Sequence, residues 1–143
     1  MDIRLQNATA ALRVAFGLMA TLAGLDKFFN ILADWGSYLS PLAAQLSPVP
    51  VDTLMGVFGI VEFAVGVAIL TAWPTIGAFV ASAWLLLVAG NLVLAGHFDV
   101  AVRDIVLAVA AYSLARLVEG EGQYVRAFAS PAPARPETAS VRT

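Results

Sequence analysis

Apolar residues run without alternation through four stretches of the chain, at 9–31, 51–72, 76–96 and 100–117. Continuous runs rich in Ala and Leu predict helices; a membrane barrel would instead show short segments of alternating polarity. A hydrocarbon core about 30 Å thick takes about 20 helical residues. Each run is therefore expected to cross a membrane, the fourth being marginal in length. The predicted fold class is an all-α integral membrane protein, a four-transmembrane-helix bundle with short turns, spanning residues 1–129.

The interruptions between runs have local causes. Asp34, Gly36, Pro41, Pro48 and Pro50 end the first helix and build the longest connection. Pro50 stands just before the second run, where its fixed φ and missing N–H do little harm. Trp73, Pro74 and Thr75 make a very short link, so the second and third helices should be antiparallel neighbours. A tight turn is expected at 96–99. Trp35, Tyr38, Trp73 and Phe98 fall near predicted boundaries, as in an interfacial aromatic belt. Small residues recur at helical spacing: Gly17, Ala20 and Gly24; Gly56, Gly59 and Gly66; Ala108, Ala111 and Ala115. Such faces let membrane helices approach closely. Beyond 117, Val118, Tyr124, Val125 and Phe128 alternate with Glu119, Glu121 and Arg126, the pattern of a short amphipathic helix on the membrane surface. The Pro/Ala/Ser/Thr-rich tail at 130–143 predicts disorder.

Composition agrees with lipid as part of the solvent. The chain is 60% hydrophobic and 13% charged, against about 25% charged in soluble domains, and its mean hydropathy is +0.84. Cysteine is absent, which removes disulfide and thiolate chemistry. The lone histidine, His97, excludes a bis-histidine haem within one chain and a multi-histidine zinc site. A net charge of −2 gives no footprint for nucleic acid. The first apolar run contains Arg13, Asp26 and Lys27 and ends in no clear cleavage site, so it is expected to stay in the mature protein. Basic residues set orientation. Arg4, Arg13, Arg116, Arg126, Arg135 and Arg142 fall on the side of the termini, against Lys27 and Arg103 on the other. Both termini are thus expected in the cytoplasm, in a membrane of the bacterial inner-membrane type.

An ionisable side chain in a membrane span costs about 2.5–3.5 kcal/mol on the insertion scale, so those present invite a role. Lys27 lies roughly 6 Å inside the outer end of the first helix at 1.5 Å per residue. Asn91, Arg103 and Asp104 share that depth, and Glu62 falls deeper, near the midplane. These five form the candidate site, with Asp26 as a spare acid. Three readings remain open: a buried ion network that fixes helix assembly, a pocket for a quinone or lipid head group, or a proton path through Glu62. His97, in the outer turn beside Asp99, is either a solvated turn residue or a ligand at the outer interface. Arg13 is expected to snorkel at the cytoplasmic end, and Tyr112 to face lipid or pack. No nucleophile with an adjacent base, phosphate loop or metal-ligand spacing is visible, so no catalytic residue or metal is assigned and a self-contained enzyme is not expected.

At these same positions the chain resembles the DoxX-like membrane proteins. The segment LRVAFGLMATLAGLDKFF carries the family's arginine, spaced glycines and Gly-x-x-Lys ending, here Arg13, Gly17, Gly24 and Lys27. GIVEFAVGVAIL carries its glutamate followed by glycine, Glu62 and Gly66, and RDIVLAVAAYSLA its Arg-Asp entry, Arg103 and Asp104. The likeness covers residues 11 to 117. It implies a four-helix bundle and, by analogy, a link to membrane redox systems. The absence of cysteine argues against a thiol-linked role. The expectation is an accessory subunit of a membrane redox or electron-transfer complex, surrounded by lipid and larger membrane subunits. It would carry no intrinsic cofactor, with a quinone or lipid held at a shared site. A stand-alone oligomeric permease and a quinone-linked oxidoreductase component are the alternatives.

Overall fold

The computed structural model describes residues 2–129, with side chains described through 122. Among these the chain is helical throughout its regular structure: α1 (Ile3–Asp26), a 3₁₀ turn (Trp35–Tyr38), α2 (Pro41–Leu46), α3 (Val51–Leu70), α4 (Pro74–Leu94) and α5 (Phe98–Ala129). Three helices, α1, α3 and α4, are long and apolar enough to cross a membrane, which points to an integral membrane protein. The fourth expected span falls short of that standard, because Arg103, Asp104 and Arg116 bracket a short uncharged stretch. The tail at 130–143 lies outside the described residues.

The first helix is displaced from its expected bounds. It begins at Ile3, where the Asp2 carboxylate caps it by accepting from the Arg4 N–H at 3.0 Å. It ends at Asp26, although Phe28, Phe29 and Ile31 extend the apolar run. Asn30 takes a left-handed φ of 52°, and Asp26 draws the following N–H groups onto its side chain, a local alternative to the helical ladder. The amphipathic stretch after 117 is not a separate surface helix but the continuation of α5, which runs for 32 residues, about 48 Å. The long connection also gains structure that its prolines did not announce. Ser40 caps α2 by accepting from Ala43 N–H, with Pro41 in the first turn.

The bundle is assembled from two close pairs, α1 on α3 and α4 on α5. Glycine makes the first pair possible. A Cβ on Gly24 would lie 2.5 Å from the backbone nitrogen of Phe63 and 2.6 Å from the Gly59 carbonyl oxygen. One on Gly66 would lie 2.7 Å from the Gly17 carbonyl oxygen. Gly17 thus faces Gly66 and Gly24 faces Gly59, so the two helices run antiparallel with their backbones nearly touching. In the second pair the small side chains are alanines. Ala78, Ala81, Ala108, Ala111 and Ala115 are buried, and Ser82 Oγ donates to the Ala108 carbonyl at 2.8 Å. Phe16, Ile69 and Leu114 fill the space where the pairs meet.

Arg13, expected to snorkel at its end of the bundle, reaches an end of a neighbouring helix. It turns onto the C-terminus of α3, where Nε donates to the Ile69 carbonyl at 2.7 Å and an Nη donates to those of Leu70 and Thr71. The last carbonyls of a helix have no partner within it and carry partial negative charge, so a guanidinium is a fitting cap.

Candidate functional site

The glycine contact between α1 and α3 places the central ion pair. Lys27 follows Gly24 by one helical turn, and Glu62 follows Gly59 by the same interval. Because the helices are antiparallel, the two residues lie one turn to either side of the Gly24–Gly59 contact, and the close approach of the backbones there lets their long side chains reach each other. Lys27 Nζ lies 2.5 Å from Glu62 Oε2, with side-chain exposures of 7% and 13%. Burying a lysine and a glutamate this far from water is costly unless they are paired and hydrogen-bonded.

Both members have further partners. Trp84 on α4 donates its indole N–H to Glu62 Oε1 at 2.9 Å, and Phe58 stacks edge-on against its ring at 5.2 Å between centroids. The Trp35 ring lies over Lys27, with Nζ 3.9 Å from its centroid, within cation–π range. The pair is thus walled by α1, α3 and α4 and roofed by the connection after α1.

Asp26, read from the sequence as a spare acid, holds that roof in place. Its carboxylate accepts from the N–H groups of Ile31 and Leu32 at 2.9 Å each, from Ala33 at 3.4 Å, and from the Trp35 indole at 2.8 Å. Adjacent residues therefore divide the work. Lys27 joins α1 to Glu62, and Asp26 positions the indole that covers Lys27.

Asn91 takes part through the same connection rather than through the charges. Its Oδ1 accepts from Ser40 N–H at 2.9 Å and its Nδ2 donates to the Tyr38 carbonyl at 2.8 Å. His97 sits beside that point, its ring 5.1 Å from that of Tyr38, and its carbonyl accepts from Ala101 N–H in the first turn of α5. Arg103 and Asp104 form a pair of their own, Nη2 to Oδ1 at 2.9 Å, with the arginine 64% exposed and the aspartate 6%. The five site residues thus separate into the Lys27–Glu62 pair, the Asn91 tie and the Arg103–Asp104 pair. Tyr112 is half-exposed and packs against Phe79, with centroids 5.8 Å apart.

Sequence reasoning passed over Trp84 and gave Trp35 only a boundary role. An indole N–H inside an apolar helix needs an acceptor, and Glu62 is the acid on the neighbouring run, so that signal was present for Trp84. No buried side-chain nitrogen or oxygen among the described residues lacks a hydrogen-bond partner. The chemical capacity of the arrangement is to hold a charge pair under an aromatic cover. Fold and site together define a class, the helical bundle with membrane-type helices and an internal ion pair. Comparison with protein-family models, curated proteins and solved structures gives no match.

Proposed function

We propose that the protein is a four-span accessory subunit of a larger membrane assembly, with both termini on the cytoplasmic side and the Lys27–Glu62 pair as an internal fastener. The observation that carries this reading is the closure of that pair by the chain's own groups. Lys27 is occupied by Glu62 and Trp35, and Glu62 by Lys27 and Trp84. A catalytic or transport site would hold such groups ready for a substrate. Here they are spent on joining three helices and a connecting segment.

Support for α5 as the fourth span comes from its outward surface. Val102, Ile105, Val106, Val109 and Tyr112 are exposed along it, continuous in character with the exposed Val57, Ile60 and Phe63 of α3. Its charged entry is compensated, since Asp104 is paired with Arg103 and the arginine reaches outward. The Arg116–Glu119 pair marks the level at which α5 would re-enter water.

The link to redox chemistry rests on the resemblance of the Arg13/Gly17/Gly24/Lys27, Glu62/Gly66 and Arg103–Asp104 motifs to the DoxX-like family. A quinone or lipid head group fits as a second reading at one point only. Trp35 belongs to a connecting segment, and its withdrawal would present Lys27 to a carbonyl or anionic oxygen. Extraction of native membranes in mild detergent, followed by mass spectrometry of what stays bound, tests the main reading. Recovery in fixed ratio with oxidase, dehydrogenase or cytochrome subunits is expected. Recovery of the chain alone as a symmetric oligomer would discard the accessory role and favour a permease.

A further inference from the structure

The connection between α1 and α3 has a composition and a bonding pattern unlike those of a loop in water. From residue 28 to residue 50 its sole charged side chain is Asp34. Its large apolar side chains point away from the bundle. Ile31 is 81% exposed and Leu46 75%, with Phe29, Leu32 and Leu42 also exposed. Exposed apolar surface concentrated in one segment marks an interaction site.

Many backbone N–H groups of the same segment are taken up by the chain itself. The N–H groups of 31, 32 and 33 go to Asp26. Those of Ser37 and Leu39 go to the Asp34 and Gly36 carbonyls, and that of Ser40 to Asn91. Ala43 and Val49 N–H are taken by the hydroxyls of Ser40 and Ser47. Pro41, Pro48 and Pro50 have no N–H to satisfy. A loop in water has no need of such provision, because water supplies the partners. A segment in a low-water environment must satisfy its backbone internally.

We propose that the 28–49 segment is an interfacial strap. It lies in the boundary between phospholipid headgroups and acyl chains, with Phe29, Ile31, Leu32, Leu42 and Leu46 immersed and lipid as its partner. The occupant is lipid rather than a protein subunit because the apolar surface of the strap continues that of Leu22 and Leu25 on α1. Two further observations agree. Trp35 and Tyr38 lie within it, as amphipathic rings do at headgroup level. Asp26 and Asn91, the two side chains that anchor it, are turned inward, and its exposed polar side chains, Asn30, Asp34, Ser37 and Gln45, are placed to meet headgroups and water. In this arrangement the membrane surface presses the Trp35 cover onto Lys27, so the ion pair is closed by lipid contact as well as by the chain.

The proposal rests on the bundle being membrane-embedded, and one experiment separates the two claims. The chain has no cysteine, so single cysteines can be introduced without a background. Ile31→Cys, Leu32→Cys and Leu46→Cys would each be spin-labelled in the full chain, in phosphatidylcholine vesicles, with Ile60→Cys on α3 as the reference. Collision with oxygen, which concentrates in the acyl region, is compared with collision with a water-soluble nickel chelate. Oxygen should dominate at Ile60 and, to a lesser but clear extent, at 31, 32 and 46. Oxygen dominance at Ile60 with nickel dominance at all three strap positions would overturn the strap and leave the spans intact. Nickel dominance at Ile60 itself would overturn the membrane reading and the strap together.

Discussion

Glu62 stands in the middle of a helix whose other residues past the first turn are apolar or small, and the surroundings decide what its charge can do. Lys27 neutralises one carboxylate oxygen, and Trp84 donates to the other. Breaking a buried pair leaves the remaining charge unsolvated, at a loss of about 3–5 kcal/mol, whereas removing both charges together is often neutral. Glu62→Gln should therefore lower the thermal stability of the detergent-solubilised protein markedly, since it strands Lys27. Adding Lys27→Met should restore most of that loss, because the amide oxygen of the new glutamine still accepts from Trp84. Simple additivity of the two substitutions in unfolding measurements would rule out the pair as a coupled unit. The residue scale is also where the sequence was most ambiguous. Lys27, Glu62, Arg103 and Asp104 offer more than one balanced pairing of charges. Arg103 could have reached Glu62 instead of its neighbour. The choice follows from where each helix face points, which spacing along the chain does not contain.

At the level of elements, α1 and α3 meet through Gly17, Gly24, Gly59 and Gly66. A methyl group at Gly24 would collide with backbone atoms of Phe63 and Gly59, which cannot swing aside as a side chain can. Overpacking of this kind typically costs about 1–3 kcal/mol. Gly24→Ala should thus destabilise the protein by about that amount and loosen Lys27 from Glu62. Gly90 on α4 is the control, because a Cβ there meets nothing within 4 Å. Gly90→Ala should be neutral or stabilising by up to about 1 kcal/mol, from helix propensity alone. Equal effects of the two substitutions on thermal unfolding would show that helix approach at Gly24 is not limiting. The recurring small residues were visible in the sequence as faces for close packing. Which face met which was not. Gly56 shares the α3 spacing, yet a Cβ there would touch only the Phe28 side chain at an ordinary 3.6 Å.

Over the whole molecule, the ion pair, the glycine contact and the strap form one mechanical unit. Gly24, Asp26 and Lys27 are near neighbours in the chain, and they respectively admit α3, anchor the strap and bind Glu62. Asp26→Ala should therefore act at a distance from its own helix. It releases three backbone N–H groups and the Trp35 indole, so amide exchange across 31–35 should quicken severalfold while α4 and α5 keep their protection. Unchanged exchange in that segment would mean that Asp26 is not its anchor.

The sequence by itself determined the helical class, the number and order of the long helices, the sites of the prolines and tight turns, and the candidate polar residues. These follow from local properties: apolar runs, backbone restrictions at Pro and Gly, and the expense of charge in apolar surroundings. Tertiary structure alone decided that Arg13 caps α3. It also decided that Trp84 and Trp35 complete the Lys27–Glu62 pair. Each of these depends on which backbone or side chain lies across a helix–helix contact, and a linear pattern carries the period of a helix but not its rotation against a neighbour.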